Sequence, residues 1–319
     1  MKKLSVVFCA TPEIANNCLV FLNECQGVDL KLAVSMPDRP AGRGKELRSP
    51  AVISKAKELG IDTFQSENLN KDEAFKKWRS ENQVDLFIVF AFAQFLGKSI
   101  LEYPKIGCFN IHTSLLPKYR GAAPMQYALF NGDTETGICI QKMVSKMDAG
   151  DIALDIKVPI HEHDNLGTLH DQFQSIAPNL LENFISQVQS DSVVLTKQDE
   201  SKISFAPSIP KEKTVLNFLN NNSKDLLNLI RGISPIPAAY CFLNNKRLKV
   251  FEGELSEVNL KPGETSVSFN SLLIGTKEGA LRLKTVQIEG KGKCKDNELL
   301  NGLKNSFDNF TLTSTKEKK

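Results

Sequence analysis

Asn110 and His112, an amide and an imidazole two residues apart, form the first part of a candidate catalytic site. They close the short apolar segment 107–112, which is typical of a β-strand, and side chains two apart on a strand point to the same face. Such an amide can donate a hydrogen bond to a developing negative charge, and an imidazole exchanges protons near neutral pH. The pair can polarise a carbonyl group and carry a proton, although a structural, hydrogen-bonded histidine is the commoner interpretation of these two residues alone.

A carboxylate that would complete the site is available in the turn Met147-Asp148-Ala149-Gly150-Asp151. This turn lies between two predicted strands at 137–144 and 152–158, and its two aspartates, Asp148 and Asp151, are candidates for the missing carboxylate. Asp-Ala-Gly sequences are also common in ordinary turns, so the turn by itself does not identify a site.

Other common chemistries lack their sequence signatures. The first predicted strand leads into Cys9-Ala10-Thr11-Pro12-Glu13 without a glycine, so the fingerprint of a dinucleotide-binding turn is absent. The Gly-rich segment 41–45 lacks the spacing of a nucleotide-hydrolysing P-loop. The cluster His161-Glu162-His163-Asp164, with His170 nearby, matches no helical zinc motif, and we predict no metal site.

The elements that must position these residues follow the alternation that is typical of parallel βαβ units. Pro12 and Ser49-Pro50 mark helix starts, and Gly60 marks a helix end. Short apolar runs predict strands at 4–9, 30–34, 61–64, 84–90 and 107–112. We therefore predict an α/β, Rossmann-like, mostly parallel sheet that binds its ligands at the carboxyl ends of the strands.

The rest of the chain predicts a second, β-rich domain. A long helix at 167–187 is followed by a polar stretch without sustained periodicity at 190–213, which we assign as a linker. Beyond it, one helix and several short alternating runs predict a small β-barrel of the OB-like type; they lie at 223–231, 239–243, 247–252, 271–276 and 280–288. The predicted domain limits are 1–189 (catalytic domain), 190–213 (linker), 214–310 (barrel) and 311–319 (disordered tail).

Composition is typical of a soluble two-domain protein: 319 residues, 41% of them hydrophobic, with a net charge of +3. The charge is uneven, because residues 211–319 carry 18 basic and 12 acidic side chains, and a basic surface can attract a polyanion. The longest uninterrupted apolar run, 86–93, is too short to cross a bilayer. Seven widely spaced cysteines without a Cys-x-x-Cys pair indicate reduced thiols and a cytoplasmic location.

Taken together, the candidate residues resemble a known family. Asn110-x-His112, the segment 114–124 that follows it (Ser-Leu-Leu-Pro-Lys-Tyr-Arg-Gly-Ala-Ala-Pro) and the Asp148 turn are similar to the active site of the folate-dependent formyltransferases. The segments 37–45 and 231–237 narrow this resemblance to the methionyl-tRNA formyltransferases. The resemblance extends over nearly the whole chain and implies a Rossmann-like catalytic domain joined to a β-barrel domain that helps to hold tRNA.

This resemblance implies 10-formyltetrahydrofolate as the formyl donor and the α-amino group of initiator methionyl-tRNA as the acceptor. Asn110 would donate to the developing oxyanion, His112 would carry a proton, and Asp148 would hold His112 and assist proton transfer. Whether His112 or Asp148 accepts the proton from the amine stays open.

The binding residues that we expect form two groups. The expected donor-binding residues are Phe90, Ala91, Phe92, Ser114, Leu115, Leu116 and Pro117. For the two phenylalanines, packing in the core is the alternative. The expected tRNA-binding residues are Arg39, Arg43 and Lys45, in a flexible basic loop that could fold against an RNA end.

Two other functions stay open at this stage. A sugar-nucleotide formyltransferase would use the same folate donor and the same three catalytic residues, but the basic loop at 39–45 argues against it. A non-catalytic RNA-binding protein on a decayed enzyme scaffold would lose Asn110, His112 and Asp148, which are all present. We expect a monomeric enzyme that binds neither DNA nor a membrane and needs no metal.

Overall fold

The computed structural model describes residues 3–41, 44, 46–268, 270–303 and 310–316. Interleaved parts of the chain form two units. The first contains residues 1–121, 136–159 and 170–205, and the second contains residues 122–135, 160–169 and 206–319. The step from residue 205 to residue 206 falls inside the segment predicted as a linker, while the domain limits given above stay a prediction. In the described parts of the chain, no helix is long and apolar enough to cross a membrane.

The strands of the first half of the chain, in order, are β1 (Leu4–Ala10), β2 (Val28–Ser35), β3 (Arg39–Ala41), β4 (Glu46–Arg48), β5 (Thr63–Gln65), β6 (Leu86–Phe90), β7 (Gly107–His112), β8 (Glu135–Lys142) and β9 (Ile152–Pro159). Seven of them form one sheet in the order β5-β2-β1-β6-β7-β8-β9. The strands from β5 to β7 in this order run parallel to one another, whereas β8 is antiparallel to β7. The Rossmann-like, mostly parallel sheet is therefore confirmed.

The helices are α1 (Asn16–Glu24), α2 (Ala51–Glu58), α3 (Glu73–Glu81), α4 (Lys98–Leu101), α5 (Pro124–Phe130), α6 (Leu166–Gln189), α7 (Ser223–Ile233) and α8 (Asp296–Leu303). Helix α2 begins one residue later than Ser49-Pro50 predicts, because Pro50 itself is the N-cap. It ends beside Gly60, whose φ of +69° is a conformation that favours glycine. At the start of α3, the Asp72 side chain accepts a hydrogen bond from the Phe75 backbone N–H at 3.0 Å.

Strand β6 is buried along its whole length, as its continuous apolar sequence predicts. It lies between β1 and β7, so both of its edges are hydrogen-bonded. On one face of the sheet, Phe75 stacks on Trp78 with ring centroids 5.9 Å apart and also contacts Phe87. This central strand pairs in register with β7, which carries Asn110 and His112.

The second unit contains β10 (Ala239–Leu243), β11 (Lys246–Ser256), β12 (Thr265–Ser268), β13 (Ser271–Gly275), β14 (Ala280–Ile288), β15 (Cys294–Lys295) and β16 (Leu312–Thr313). They form an antiparallel sheet in the order β12-β13-β14-β11-β10-β16, with β15 paired to β14. Its buried side chains form one apolar core together with those of α7 and α8. The predicted small β-barrel domain is therefore confirmed as a barrel-like antiparallel sheet.

Two segments differ from the sequence interpretation. The basic segment expected to be a flexible loop contains the short strands β3 and β4, in which Arg39 lies opposite Arg48. Within the expected disordered tail, Leu312 and Thr313 form β16 and pair with β10. The expectation is corrected for these two residues, because Leu312 is 2% exposed and its backbone N–H donates to the Thr265 hydroxyl at 2.9 Å.

Part of the predicted linker also carries defined contacts within the first unit. Thr196 and Ile152 exchange backbone hydrogen bonds of 2.8 Å, and Phe205 forms a parallel bridge with Arg120. Polar composition and the absence of periodicity gave no sign of these contacts, because both partners lie far away in the sequence.

Asp296, the first residue of α8, is a deeply buried carboxylate of the second unit, with 1% of its surface exposed. It accepts hydrogen bonds from Arg282 Nε at 2.8 Å and Nη2 at 3.1 Å, and from the Leu272 backbone N–H at 3.1 Å. Burial acts to raise the pKa of Asp296, but the Arg282 guanidinium and the backbone donors outweigh it and hold the pKa below its ordinary value. This carboxylate connects the start of α8 to β13 and β14.

Replacing the Asp296 carboxylate should destabilise the second unit. We expect Asp296→Ala to lower the free energy of unfolding by about 3 kcal/mol, because it leaves the partly buried Arg282 without its main partner. Glu254→Ala is the matched control, since Glu254 binds the same guanidinium from an exposed position and should cost less than about 1 kcal/mol. Urea unfolding followed by circular dichroism compares the two variants, and equal losses would reject the anchoring role of Asp296.

Candidate active site

The candidate site lies at the carboxyl edge of the first sheet. Strands β6 and β7 are parallel neighbours, with Phe90 opposite Ile111, so the segments that follow them leave the sheet at the same edge. On the other side of β7, Asn110 lies opposite Gln141 of β8, and His112 lies opposite Cys139. Because residues two apart on a strand share a face, Asn110, His112 and Gln141 lie on one face of the sheet.

The ring of His112 is hydrogen-bonded through one nitrogen and faces a carboxylate with the other. It is 6% exposed, and its Nε2 lies 3.0 Å from the backbone oxygen of Tyr119. A carbonyl oxygen can only accept, so Nε2 carries a hydrogen and donates it. In the neutral ring, the lone pair is therefore on Nδ1, which lies 3.8 Å from Asp148 Oδ1.

The carboxylate of Asp148 is oriented by two hydrogen bonds. Gln141 Nε2 donates to Oδ1 at 2.8 Å, and the backbone N–H of Gly121 donates to Oδ2 at 2.8 Å. Since both oxygens accept, the arrangement suits the ionised form. The side chain is 13% exposed, so a charge on it is only weakly screened by solvent.

Sequence reasoning missed Gln141, although it contacts a predicted catalytic residue. Its side chain is 2% exposed, and its Oε1 has no hydrogen-bond partner among the described residues. A buried amide oxygen without a partner is costly, which is typical of a site that awaits a ligand or a water molecule. The available signal was an amide following the apolar run Ile138-Cys139-Ile140.

Two glycines allow the chain to bring Asp148 to His112. A Cβ atom on Gly150 would lie 1.6 Å from the backbone oxygen of Lys142, so only glycine fits there. Gly121, which donates to Asp148, has a φ of +127°, a region that favours glycine. Asp148 itself has a φ of +48°, which aspartate tolerates better than most residues. The Asp-Ala-Gly turn is thus built to hold the carboxylate in place.

The segments expected to bind the donor divide into buried and accessible residues. Phe90 is 1% exposed and lies in the core, and the Ser114 hydroxyl donates to the Lys118 backbone oxygen at 2.6 Å. Leu116 is buried, while Leu115 and Pro117 are partly exposed. Ala91 is exposed with a φ of +48°, and the partly buried Phe92 packs against the core below it. The assignment of these seven residues to donor binding stays a prediction.

The two described thiols next to the candidate catalytic residues are unreactive. Cys139 is opposite His112 on β8, and burial raises the pKa of its thiol to about 12. Burial likewise raises the pKa of Cys108, two residues before Asn110, to about 12. Both side chains are therefore neutral at physiological pH, and a cysteine nucleophile is not part of the candidate chemistry.

Of the three expected tRNA-binding residues, the structure describes Arg39. Arg39 lies on β3, is largely exposed, and forms an ion pair with Glu67 at 2.9 Å. Arg43 and Lys45 lie outside the described residues.

The residues of the histidine cluster make separate contacts. The rings of His161 and His163 stack with centroids 5.6 Å apart, and His170 pairs with Asp171. Among the residues that the structure describes, no group of three or more histidine, cysteine, aspartate or glutamate side chains is arranged to hold a metal ion.

Comparison with known families supplies the class of the protein. A family model described as formyl transferase matches residues 2–185, and one described as formyl transferase, C-terminal domain, matches residues 208–304. The two matches together cover most of the chain and both units of the fold. The chain therefore belongs to the formyl transferase family.

Within this family, the chain is similar to methionyl-tRNA formyltransferases over nearly its whole length. The methionyl-tRNA formyltransferase of Malacoplasma penetrans is 40% identical over 304 residues, which cover 94% of this chain and 94% of the relative. That of Thermodesulfovibrio yellowstonii is 37% identical over 308 residues, which cover 96% of this chain and 99% of the relative. The resemblance to methionyl-tRNA formyltransferases that the motifs predict is confirmed.

A solved structure shares the fold. The sugar 3N-formyl transferase WlaRD, crystallised in the presence of dTDP and 5-N-formyl-tetrahydrofolate, matches with a TM-score of 0.67 and 18% sequence identity. The match covers 92% of this chain and 100% of that one. At this identity the likeness concerns the fold alone, so it does not separate a sugar acceptor from a tRNA acceptor.

The tight turn at Gly150 gives a direct test of how much the site depends on the Asp148 position. We expect Gly150→Ala to lower the rate of formyl transfer by about 10²-fold, because the turn must move to relieve the clash with the Lys142 backbone oxygen. Gly302→Ala is the control, since a Cβ there meets no atom within 4 Å. Initial rates and thermal unfolding of both variants are measured together, and a Gly150→Ala protein with the wild-type rate would contradict this view of the turn.

Proposed function

We propose that the protein transfers the formyl group of 10-formyltetrahydrofolate to the α-amino group of initiator methionyl-tRNA. One observation carries the proposal: Asn110 and His112 share a strand face beside Asp148 in a chain that resembles methionyl-tRNA formyltransferases over nearly its whole length. A decayed scaffold would have no reason to retain two glycines and a glutamine that hold the Asp148 carboxylate.

The reaction needs a hydrogen-bond donor for the developing oxyanion. The amine nitrogen of methionyl-tRNA attacks the formyl carbon, and the carbonyl electrons move to oxygen as the new C–N bond forms. We assign Asn110 as the donor to this oxygen, because its amide lies on the same strand face as His112 and is not fully buried. As the tetrahedral species collapses, the bond from carbon to the folate nitrogen breaks.

The attacking amine must lose a proton, and the folate nitrogen must gain one. We assign His112 Nδ1 as the proton carrier, because the donation from Nε2 to Tyr119 leaves Nδ1 as the nitrogen with a lone pair. The imidazolium that forms faces the Asp148 carboxylate, which stabilises the positive charge. The proton is then available for the leaving folate nitrogen, so the cycle balances without a further reactant.

Donor binding is proposed at the two segments that leave the sheet after β6 and β7. Support comes from their shared edge and from the exposed backbone of Ala91. Phe90 and Ser114 would act by shaping these segments, because their own side chains are buried or already hydrogen-bonded. Leu115, Leu116, Pro117 and Phe92 would form apolar walls.

The tRNA is proposed to contact basic residues in both units. In the first unit, Arg39, Arg43 and Lys45 are the candidates. In the second unit, the exposed Arg247 lies 3.7 Å from the centre of the Tyr240 ring, and the exposed Lys293 lies 4.3 Å from that of Phe251. A cation held over an aromatic ring remains available to phosphate oxygens.

The monomeric state, the cytoplasmic location and the lack of DNA binding stay predictions.

The acceptor is tested with a formyl-labelled folate donor and competing amines. We expect label to enter charged initiator methionyl-tRNA and not a 3-amino sugar nucleotide, because only the first matches the relatives of this chain. Methionyl-tRNA with an acetylated amino group serves as the negative control. Faster labelling of the sugar nucleotide would replace the tRNA acceptor by the alternative.

The role of His112 is tested by removing the imidazole. We expect His112→Ala to lower kcat by about 10²–10⁴-fold, because a positioned proton-transfer group contributes an effect of this size. His170→Ala is the matched control, since this histidine belongs to the same unit and pairs only with the exposed Asp171 among the described residues. Retention of more than half of the wild-type kcat by His112→Ala, with wild-type unfolding, would exclude His112 as the proton carrier.

A further inference from the structure

Arg120 is the largest fully buried side chain of the protein, and the chemistry proposed above leaves it without a role. Its side chain is 1% exposed, and its nearest carboxylate is that of Glu200 at 3.2 Å, which is 66% exposed. Its Nη1 has no hydrogen-bond partner among the described residues. Burying a guanidinium costs desolvation energy, and an exposed carboxylate offsets only part of that cost. Arg120 is therefore not explained by a contribution to stability.

The main partner of Arg120 is the amide of Gln198. Arg120 Nε and Nη2 both donate to Gln198 Oε1, at 3.0 and 2.7 Å. Because a guanidinium can only donate, this contact fixes which end of the amide carries the oxygen. Gln198 Nε2 must therefore face the opposite way.

At its other end, Gln198 holds the turn that carries Asp148. Gln198 Nε2 donates to the backbone oxygen of Asp148 at 2.9 Å and to that of Gly150 at 2.7 Å. Both N–H groups and the oxygen of the amide are thus used. The Asp148 backbone adopts a left-handed conformation that surrounding contacts must maintain, and this amide supplies two of them.

The backbone on either side of Arg120 contacts the same catalytic pair. The Tyr119 backbone oxygen accepts from His112 Nε2, and the Gly121 N–H donates to Asp148 Oδ2. Tyr119 has a φ of +62°, so this segment also needs support. It receives support from Ser204, whose hydroxyl accepts from the Tyr119 N–H and whose backbone oxygen accepts from the Arg120 N–H, both at 2.9 Å.

We infer that Gln198 and Arg120 are positioning residues for formyl transfer. The Gln198 amide hydrogen-bonds both the Asp148 turn and Arg120, so it fixes the turn relative to the segment whose Tyr119 oxygen accepts from His112. This inference rests on the proposed function, because it assumes that the approach of Asp148 to His112 limits the chemical step. Neither residue touches the substrate in this assignment. Their effect is on the geometry of the His112–Asp148 pair.

The experiment compares Gln198→Ala, Arg120→Met and the double variant with Asp199→Asn, a control in the same segment outside the network. We expect each single variant to lower kcat by about 10²-fold while the donor KM changes by less than about two-fold, because misplacement of a catalytic group acts on the chemical step. The double variant should be no slower than either single variant, since both remove one linkage. Asp199→Asn should retain the wild-type kcat.

The decisive readout uses an Asp148→Asn background. If Gln198 acts through Asp148, then Gln198→Ala causes no further loss of kcat once Asp148 is replaced. A merely structural role would instead give losses that add, together with a lowered unfolding midpoint, and this result would overturn the inference. Unchanged kcat in Gln198→Ala would overturn it as well.

A second variant covers the case in which Gln198→Ala does not fold. Gln198→Glu keeps a partner for Arg120 but removes the donors to the turn, so we expect the same loss of kcat and faster hydrogen exchange of the amides at 148–150. The exchange measurement needs no substrate, which separates this inference from the proposed function. Exchange rates equal to those of the wild type would reject the positioning role, whereas wild-type protein that formylates no tRNA would reject the function.

Discussion

The candidate site depends on how a single carboxylate, that of Asp148, is held close to an imidazole at the edge of a sheet. Its two oxygens accept from β8 through Gln141 and from the segment after β7 through Gly121. The approach is possible only because Gly150 lets the turn pass against the Lys142 backbone. Removing either hydrogen bond or the glycine would leave His112 in place and change only what it faces.

Much of the fold can be predicted from the sequence, because its signals are local. The bounds of β7, β10 and β14 agree with the apolar runs that predict them, and the buried strand β6 lies within its predicted run. The elements that were not predicted are short or depend on distant partners. The strand β16 exists because Leu312 reaches the apolar core of the second unit, and two residues carry no periodicity from which this could be inferred.

The residues of the site also divide into those that a local pattern predicts and those that only the folded structure brings together. Asn110 and His112 could be selected because strand alternation places them on one face, and the resemblance added Asp148. Gln198 and Arg120 could not be selected, because their contacts join parts of the chain that are distant in sequence. Gln141 lies only seven residues before Asp148, but an amide at the end of an apolar run does not by itself indicate a contact with the turn. Gln198 lies in a stretch whose polar composition is typical of a linker, although its amide is fully hydrogen-bonded. The hydrogen bonds that position a catalytic group come from residues that only the fold brings together, and a single sequence contains no local pattern that predicts them.

The seven cysteines, all of them free, have a practical consequence for work on this protein. Five are buried, and burial raises the pKa of each of their thiols, so oxidants and alkylating reagents reach them poorly. The remaining two, Cys25 and Cys294, are partly accessible, and one lies in each unit, although burial also raises the pKa of the Cys294 thiol. Maleimide dyes should therefore label the native protein at two positions, and exchanging either cysteine for serine leaves a single fluorophore. Each unit can then report its own local response to ligands without an engineered attachment point.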